Sequence, residues 1–266
     1  MPSSVPSAQL AAAAFGADTA LWPLPPATTC QQRWLRAVAA AGQGHYGCAE
    51  AELAILRRTA RGPLLSLAHS TQGSLLRQLG GHRSARGWDG RALLAAGQDT
   101  EARADALVGL AADALGLGRF ALSATLLDRA DRVVGADSDA PHRLAVRVAW
   151  VSAELAMATG DGDAAVRQAR LAVDRAASGH SVRHRVKSSV VLAAALCCAG
   201  QVPTARILAD QALAETERCG MIPLRWALAS LLAGIGSDAY PPSQVDVIRD
   251  TAAEVIARRG GHWHRA

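Results

Sequence analysis

Two groups of residues have side chains suited to holding a ligand. His262-Trp263-His264 sets two imidazoles near the C-terminus, and His180, Arg183, His184, Arg185 and Lys187 form the densest basic run. Imidazoles bind transition metals, and clustered cations bind phosphate. A metal needs three or four preorganised ligands, so two histidines on a tail are not expected to hold one. Glu50 with Glu52, and Asp161 with Asp163, lie beside turns, the latter pair placed to cap a helix start. Acid–base catalysis wants such carboxylates buried and convergent. Gly42-Gln43-Gly44 and Gly116-Leu117-Gly118 resemble phosphate loops only in glycine content, since each joins two helical stretches. No HExxH helix and no serine-centred elbow occurs. The expectation is a chain that is not an enzyme and uses no cofactor and no metal.

The elements that would position these residues follow from composition. Of 266 residues, 59 are Ala and 24 Gly, and aromatics make up only 4%. Ala is the strongest helix former, and small side chains let helices approach closely. Period-two β-branched runs are missing, so the expected class is all-α. The net charge is +5, with 27 Arg and the single Lys187. That balance admits nucleic acid or acidic protein partners without concentrating charge on one element. Cys30, Cys48, Cys197, Cys198 and Cys219 form no zinc-ribbon spacing, and reduced thiols in a cytoplasmic protein fit them best. No stretch reaches the roughly 18 apolar residues of a membrane span.

Gly44, Gly80, Gly118, Gly160 and Gly200 recur at intervals of 36, 38, 42 and 40 residues. Seven residues before each stands Ala37, Gly73, Ala111, Ala153 or Ala193. Five after stands Ala49, Ala85, Ser123, Ala165 or Ala205. Two antiparallel helices joined at a glycine turn touch near these slots, where a large side chain would push them apart. Each glycine is expected to end one helix in the left-handed region. Longer connections are expected at 96–100, 135–141 and 178–181.

Gly118-Arg119-Phe120 with Leu107, Leu110, Ala111, Ser123 and Ala130, and Trp34, Ala37, Gly44, Tyr46 and Ala49 in the first unit, carry a family resemblance. Over residues 28–220 the chain resembles a divergent tetratricopeptide repeat (TPR) protein. The late first-helix aromatic of that family is replaced by Ala40, Leu76, Ala114, Ala156 and Leu196, and the intervals exceed its usual repeat of about 34 residues. The resemblance implies an α-solenoid of about five TPR-like antiparallel hairpins plus a C-terminal capping hairpin. Residues 1–27 read as a flexible Pro/Ser/Ala-rich leader with a short helix near 8–15. Residues 221–259 read as capping helices, the last begun by Ser243 as N-cap, and 260–266 as a basic tail.

In the resembled family the first helices line a concave groove that binds a protein or peptide. The groove-facing positions here would be Ser70, Ser74, Arg77 and Gln78 in the second hairpin and Asp105 in the third. Arg147, Trp150 and Glu154 follow in the fourth and Lys187 in the fifth. The polar stretch from His69 to Gln78 is the first place to seek a partner, and Arg77→Glu is expected to weaken binding with helicity intact. The expected function is a protein–protein interaction module, an adaptor, scaffold or regulatory partner. Nucleic-acid binding through Arg77, Arg83, Arg86, Arg91 and the 183–187 cluster is the alternative, and self-association into a homo-oligomer stays open.

Overall fold

A computed structural model of the protein describes residues 4–264. Among them are thirteen helices and no strand. A leader helix, α1 (Ser4–Phe15), precedes six antiparallel hairpins. These are α2 (Cys30–Gly42) with α3 (Tyr46–Thr59), α4 (Gly62–Gln78) with α5 (His82–Ala95), and α6 (Thr100–Gly116) with α7 (Phe120–Gly135). The other three pair α8 (Arg143–Ala158) with α9 (Gly162–Ala177), α10 (Val182–Cys198) with α11 (Val202–Arg218), and α12 (Ile222–Ile235) with α13 (Pro242–Arg258). Successive first helices, α2 through α12, pack on one another as an inner layer, and each second helix lies outside its own partner. The fold is an all-α solenoid.

The glycine beat has the expected cause. At Gly118 φ is +70°, and the N–H groups of Gly118 and Arg119 bond back to the carbonyls of Leu115 and Ala114 at 2.9 and 2.8 Å. The α6 carbonyls are thereby satisfied in a backbone region that β-carbon-bearing residues avoid. Gly44, Gly80, Gly160 and Gly200 repeat the positive φ. The small residues on either side are the crossings: Ala37, Ala111, Ala153, Ala193, Ala49, Ala85, Ser123, Ala165 and Ala205 are all fully buried. Ser123 Oγ donates to Ala111 O at 2.9 Å, so even the one hydroxyl among them is satisfied.

The beat also runs one unit further than the sequence reading took it. Gly236 has φ +83° and ends α12, with fully buried Ala229 seven residues earlier. The loop of residues 236–241 hides this last repeat, because α13 does not restart directly after the glycine. That helix begins at Pro242, not behind a Ser243 cap. Proline's fixed φ and missing N–H suit a first-turn position.

The six hairpins bring the chain back on itself. Gly47 N donates to Arg259 O at 2.8 Å and His264 N to Leu79 O at 2.8 Å, while Arg259 Nη1 donates to Gln43 O at 2.9 Å. Ile256 of α13 belongs to the same core as Tyr46, Leu53 and Leu56 of the first hairpin. Across the inner layer Arg183 Nη1 donates to Val38 O at 2.9 Å, over 145 residues of sequence. The solenoid closes into a ring.

The leader is part of that closure. Where a flexible segment with a short helix was expected, α1 buries Leu10, Ala13 and Ala14 against α2 and reaches α10. Thr19 Oγ1 donates to Cys219 O at 3.1 Å, and the Trp22 ring stacks on His45 at 3.6 Å. Ordering an apolar helix followed by prolines costs conformational entropy, and burial against a waiting apolar wall offsets it. Leu10→Asp should therefore lower unfolding free energy by at least about 3 kcal/mol, through lost burial plus a stranded charge. Val5→Asp, at a position 65% exposed, should change it by less than about 0.5 kcal/mol. Urea denaturation of the two variants tests this, and equal midpoints would mean that α1 is unanchored.

Candidate functional site

The inner face gathers a cluster of charged and aromatic side chains. One stripe of α8 presents Arg143, Arg147, Trp150 and Glu154 at helical spacing, and α10 presents Arg183, His184 and Lys187 beside it. From α6 come Glu101 and Asp105. Arg143 donates to Glu101 Oε1 at 2.7 Å and to both oxygens of Asp105, at 2.9 Å to Oδ1. Its guanidinium also lies 5.3 Å over the Phe15 ring at the end of α1. Trp150 Nε1 donates to Ser188 Oγ at 2.8 Å. Its ring stacks on His184 at 5.2 Å, with the Lys187 ammonium 4.7 Å from its centroid.

The charges respond to this enclosure. Burial by itself raises the pKa of Asp105, but Arg143 and Arg147 overrule it and hold the carboxyl below its usual range. Burial, with repulsion from Arg147 and Arg143, brings Arg183 down to about 10. Burial and the neighbouring Arg183, Arg143 and Arg147 keep His184 well below the ordinary imidazole value, so its ring is neutral at pH 7.

A second knot joins three helices. Asp89 of α5 reaches between α4 and α6, pairs with Arg77, and shares that guanidinium with Asp113, 2.9 Å from Arg77 Nη1. Space for it comes from two absent side chains. A β-carbon at Gly73 or at Gly109 would run into the Asp89 carboxylate from either side. Two buried carboxyls against one cation leave one in excess. Burial is the main force pushing the pKa of Asp89 well above the carboxylate range; Arg77 opposes it and Asp113 adds to it.

Of the residues projected from the sequence, Arg77, Asp105, Arg147, Trp150, Glu154 and Lys187 all lie on the inner layer. Ser74 and Gln78 belong to a separate contact, where Gln78 accepts from Tyr46 Oη at 3.0 Å. Ser70 is buried, with no partner for its Oγ among the described residues. Arg77 is a core residue held by two carboxyls, so the reversal Arg77→Glu would bring three acids together and cost helicity. Phe15, Arg143, Asp89 and Asp113 join the site without a signal among the projected groove positions, and Arg183 and His184, known from the sequence only as part of a basic run, are buried within it. Gly109, a lone mid-helix glycine in an alanine-rich stretch, was the available signal for Asp89.

His262-Trp263-His264 is docked: Trp263 meets Trp226 at 4.5 Å, and His264 lies against the Gly80-Gly81 turn. Arg265 of the basic tail falls outside the described residues. Among the described residues no group of three or more His, Cys, Asp or Glu is placed to hold a metal, and no helix is long and apolar enough to cross a membrane. No protein-family model and no curated protein matches this chain.

Two tests follow from the Asp89 knot. Gly109→Ala should destabilise by about 1–3 kcal/mol, because the ion-paired carboxylate has nowhere to move. A melting temperature equal to wild type would remove the claim. For a raised folded-state pKa, stability is present in full below the unfolded value and declines as pH rises through the folded one. Asp89→Asn, fixed in the neutral form, should thus gain on wild type as pH goes from 5 to 8.5 in paired thermal melts.

Proposed function

We propose that the ring is a protein-interaction module whose inner face accepts a helix from a protein or peptide partner. The observation that supports this reading is α1 itself. A 12-residue helix rich in alanine lies on the inner face, with Leu10, Ala13 and Ala14 buried and Phe15 5.5 Å from Trp34 and 6.3 Å from His184. Helix-in-groove recognition needs such a wall of apolar and aromatic anchors with a few charges around it. The TPR-like character of the hairpins and an adaptor, scaffold or regulatory role in the cytoplasm belong to the same proposal.

Site-directed photo-crosslinking tests the proposal. A photo-reactive residue replacing Lys187 on the inner face should capture partner from native extract, and one replacing outer-face Ile207 should not. A synthetic peptide of residues 4–16 should compete with the capture. Equal capture at both positions, or no competition by the peptide, would count against inner-face binding.

One observation favours a second reading, nucleic-acid binding on the outside of the ring. Arg58, Arg61, Arg83, Arg86 and Arg91 are exposed, and the Arg57 and Arg91 guanidiniums lie 5.1 and 4.8 Å from the Trp88 ring centroid. Arg77 and Arg183, counted with them in the sequence, face inward instead. Nucleic acid held there should lose affinity steeply with salt, and Arg83→Glu with Arg86→Glu should abolish the binding. A salt-indifferent interaction would exclude this second reading.

A further inference from the structure

Five cations and five acids meet on the inner side of the ring, and their pairing is uneven. Arg77 is taken up by Asp89 and Asp113. Arg143 is taken up by Glu101 and both oxygens of Asp105. Arg183 donates to the Val38 carbonyl and fills the space that a side chain at Gly42 would need, its Nη1 2.7 Å from that β-carbon position. Two cations on neighbouring helices are left, Arg147 of α8 and Lys187 of α10.

Neither makes a hydrogen bond to the described residues. Arg147 Nε lies 3.1 Å from Asp105 Oδ1, yet it is a buried donor without a hydrogen-bond partner. The contact is one of charge, off the hydrogen-bond direction, because Arg143 already occupies that carboxylate. Lys187 Nζ stands 4.0 Å from Glu154 Oε1, beyond hydrogen-bond reach, and otherwise rests on the Trp150 face. Water reaches both side chains, which are 23% and 39% exposed. A planar guanidinium with free N–H groups beside a free ammonium is the donor set that binds carboxylate and phosphate oxygens. Among the described residues Lys187 has only the acid Glu154 beside it, and Arg147 has only Asp105, whose oxygens Arg143 already engages. Burial and crowding by other cations agree with this incomplete pairing: burial, then Arg143, lowers Arg147 against the pull of Asp105, and burial, with Arg147 among its neighbours, lowers Lys187 against the pull of Glu154.

We propose that Arg147 and Lys187 form an oxyanion site inside the ring, built for a carboxylate or phosphate group. The group arrives either as a free small anion or on an acidic side chain of a bound segment. The site does not depend on the inner face holding a partner helix, since a free anion needs none.

Inorganic phosphate and an end-blocked tetraglutamate peptide, each titrated into the full-length protein at constant ionic strength, separate the two sources. The site predicts a saturable rise in melting temperature with at least one probe and none with chloride. Saturation by phosphate identifies a free anion, and saturation by the peptide alone identifies an acidic side chain. Half-saturation should move about tenfold higher in Lys187→Gln, the size of a lost charge-assisted contact, and in Arg147→Gln. It should stay in place for Arg170→Gln on the outer helix α9. Lys187 makes no hydrogen bond to the fold, so its variant decides the matter should Arg147→Gln fail to fold. No response beyond chloride, or an unchanged half-saturation in Lys187→Gln, overturns the site.

Discussion

Close approach at the helix crossings is the constraint on which the rest of this structure depends. Ala37, Ala111, Ala153 and Ala193 meet Ala49, Ser123, Ala165 and Ala205 with no exposed surface left between them. Six hairpins that tight are narrow units, and narrow units curve enough for α13 to return to α2 and α3. A leucine at any of these slots would splay its hairpin and change the angle to the next. Because most of each hairpin's packing is against its neighbours, the error would pass along the stack and open the contact between Arg259 and Gln43. In an ordinary solenoid that contact does not exist. Here it joins the two ends, so the crossing residues determine closure as well as local packing.

Closure turns an exposed concave wall into an interior, and interiors tolerate polar groups only when they are paired. This explains the density of ion pairs on the inner layer. Asp105 with Arg143, and Asp113 with Arg77, pair across 38 and 36 residues of sequence, one repeat interval each time, while Asp89 reaches Arg77 from the second helix of the same hairpin, 12 residues on. The same side chains on an open solenoid would be solvated and worth little. Breaking one partner of such a pair strands the other, which is why charge reversal at Arg77 acts on the fold before it acts on any ligand.

The scaffold was legible in the sequence because its cause is local. A glycine at each turn and a small residue at each crossing are properties of single positions, and they recur. That Arg77, Asp105, Arg147, Trp150, Glu154 and Lys187 belong to first helices was also legible, since the repeat fixes which helices stack as the inner layer. What each of them touches depends on the curvature of the whole stack, and no spacing encodes that. Ring closure rests on contacts such as Arg183 to Val38, 145 residues apart, and on a tail that looked free. The short leader helix was legible, but its docking was not, because the wall that α1 packs on belongs to distant elements. Asp89 was hidden because it projects from an outer helix into a gap defined by two glycines on other helices.

The docked leader also sets the terms on which anything else reaches the inner face. A segment joined to its site by a short tether competes at an effective concentration on the order of millimolar. An incoming helix that needs the wall occupied by Leu10, Ala13 and Phe15 has its apparent affinity reduced by the fraction of molecules in which α1 is undocked. Apolar contacts alone would give it little advantage, since α1 already makes them. Charge differs, because α1 carries no acidic residue and leaves Arg147 and Lys187 without hydrogen bonds. A segment carrying a carboxylate has an interaction available that the leader lacks, and selectivity arises from such a difference in affinity rather than from its total.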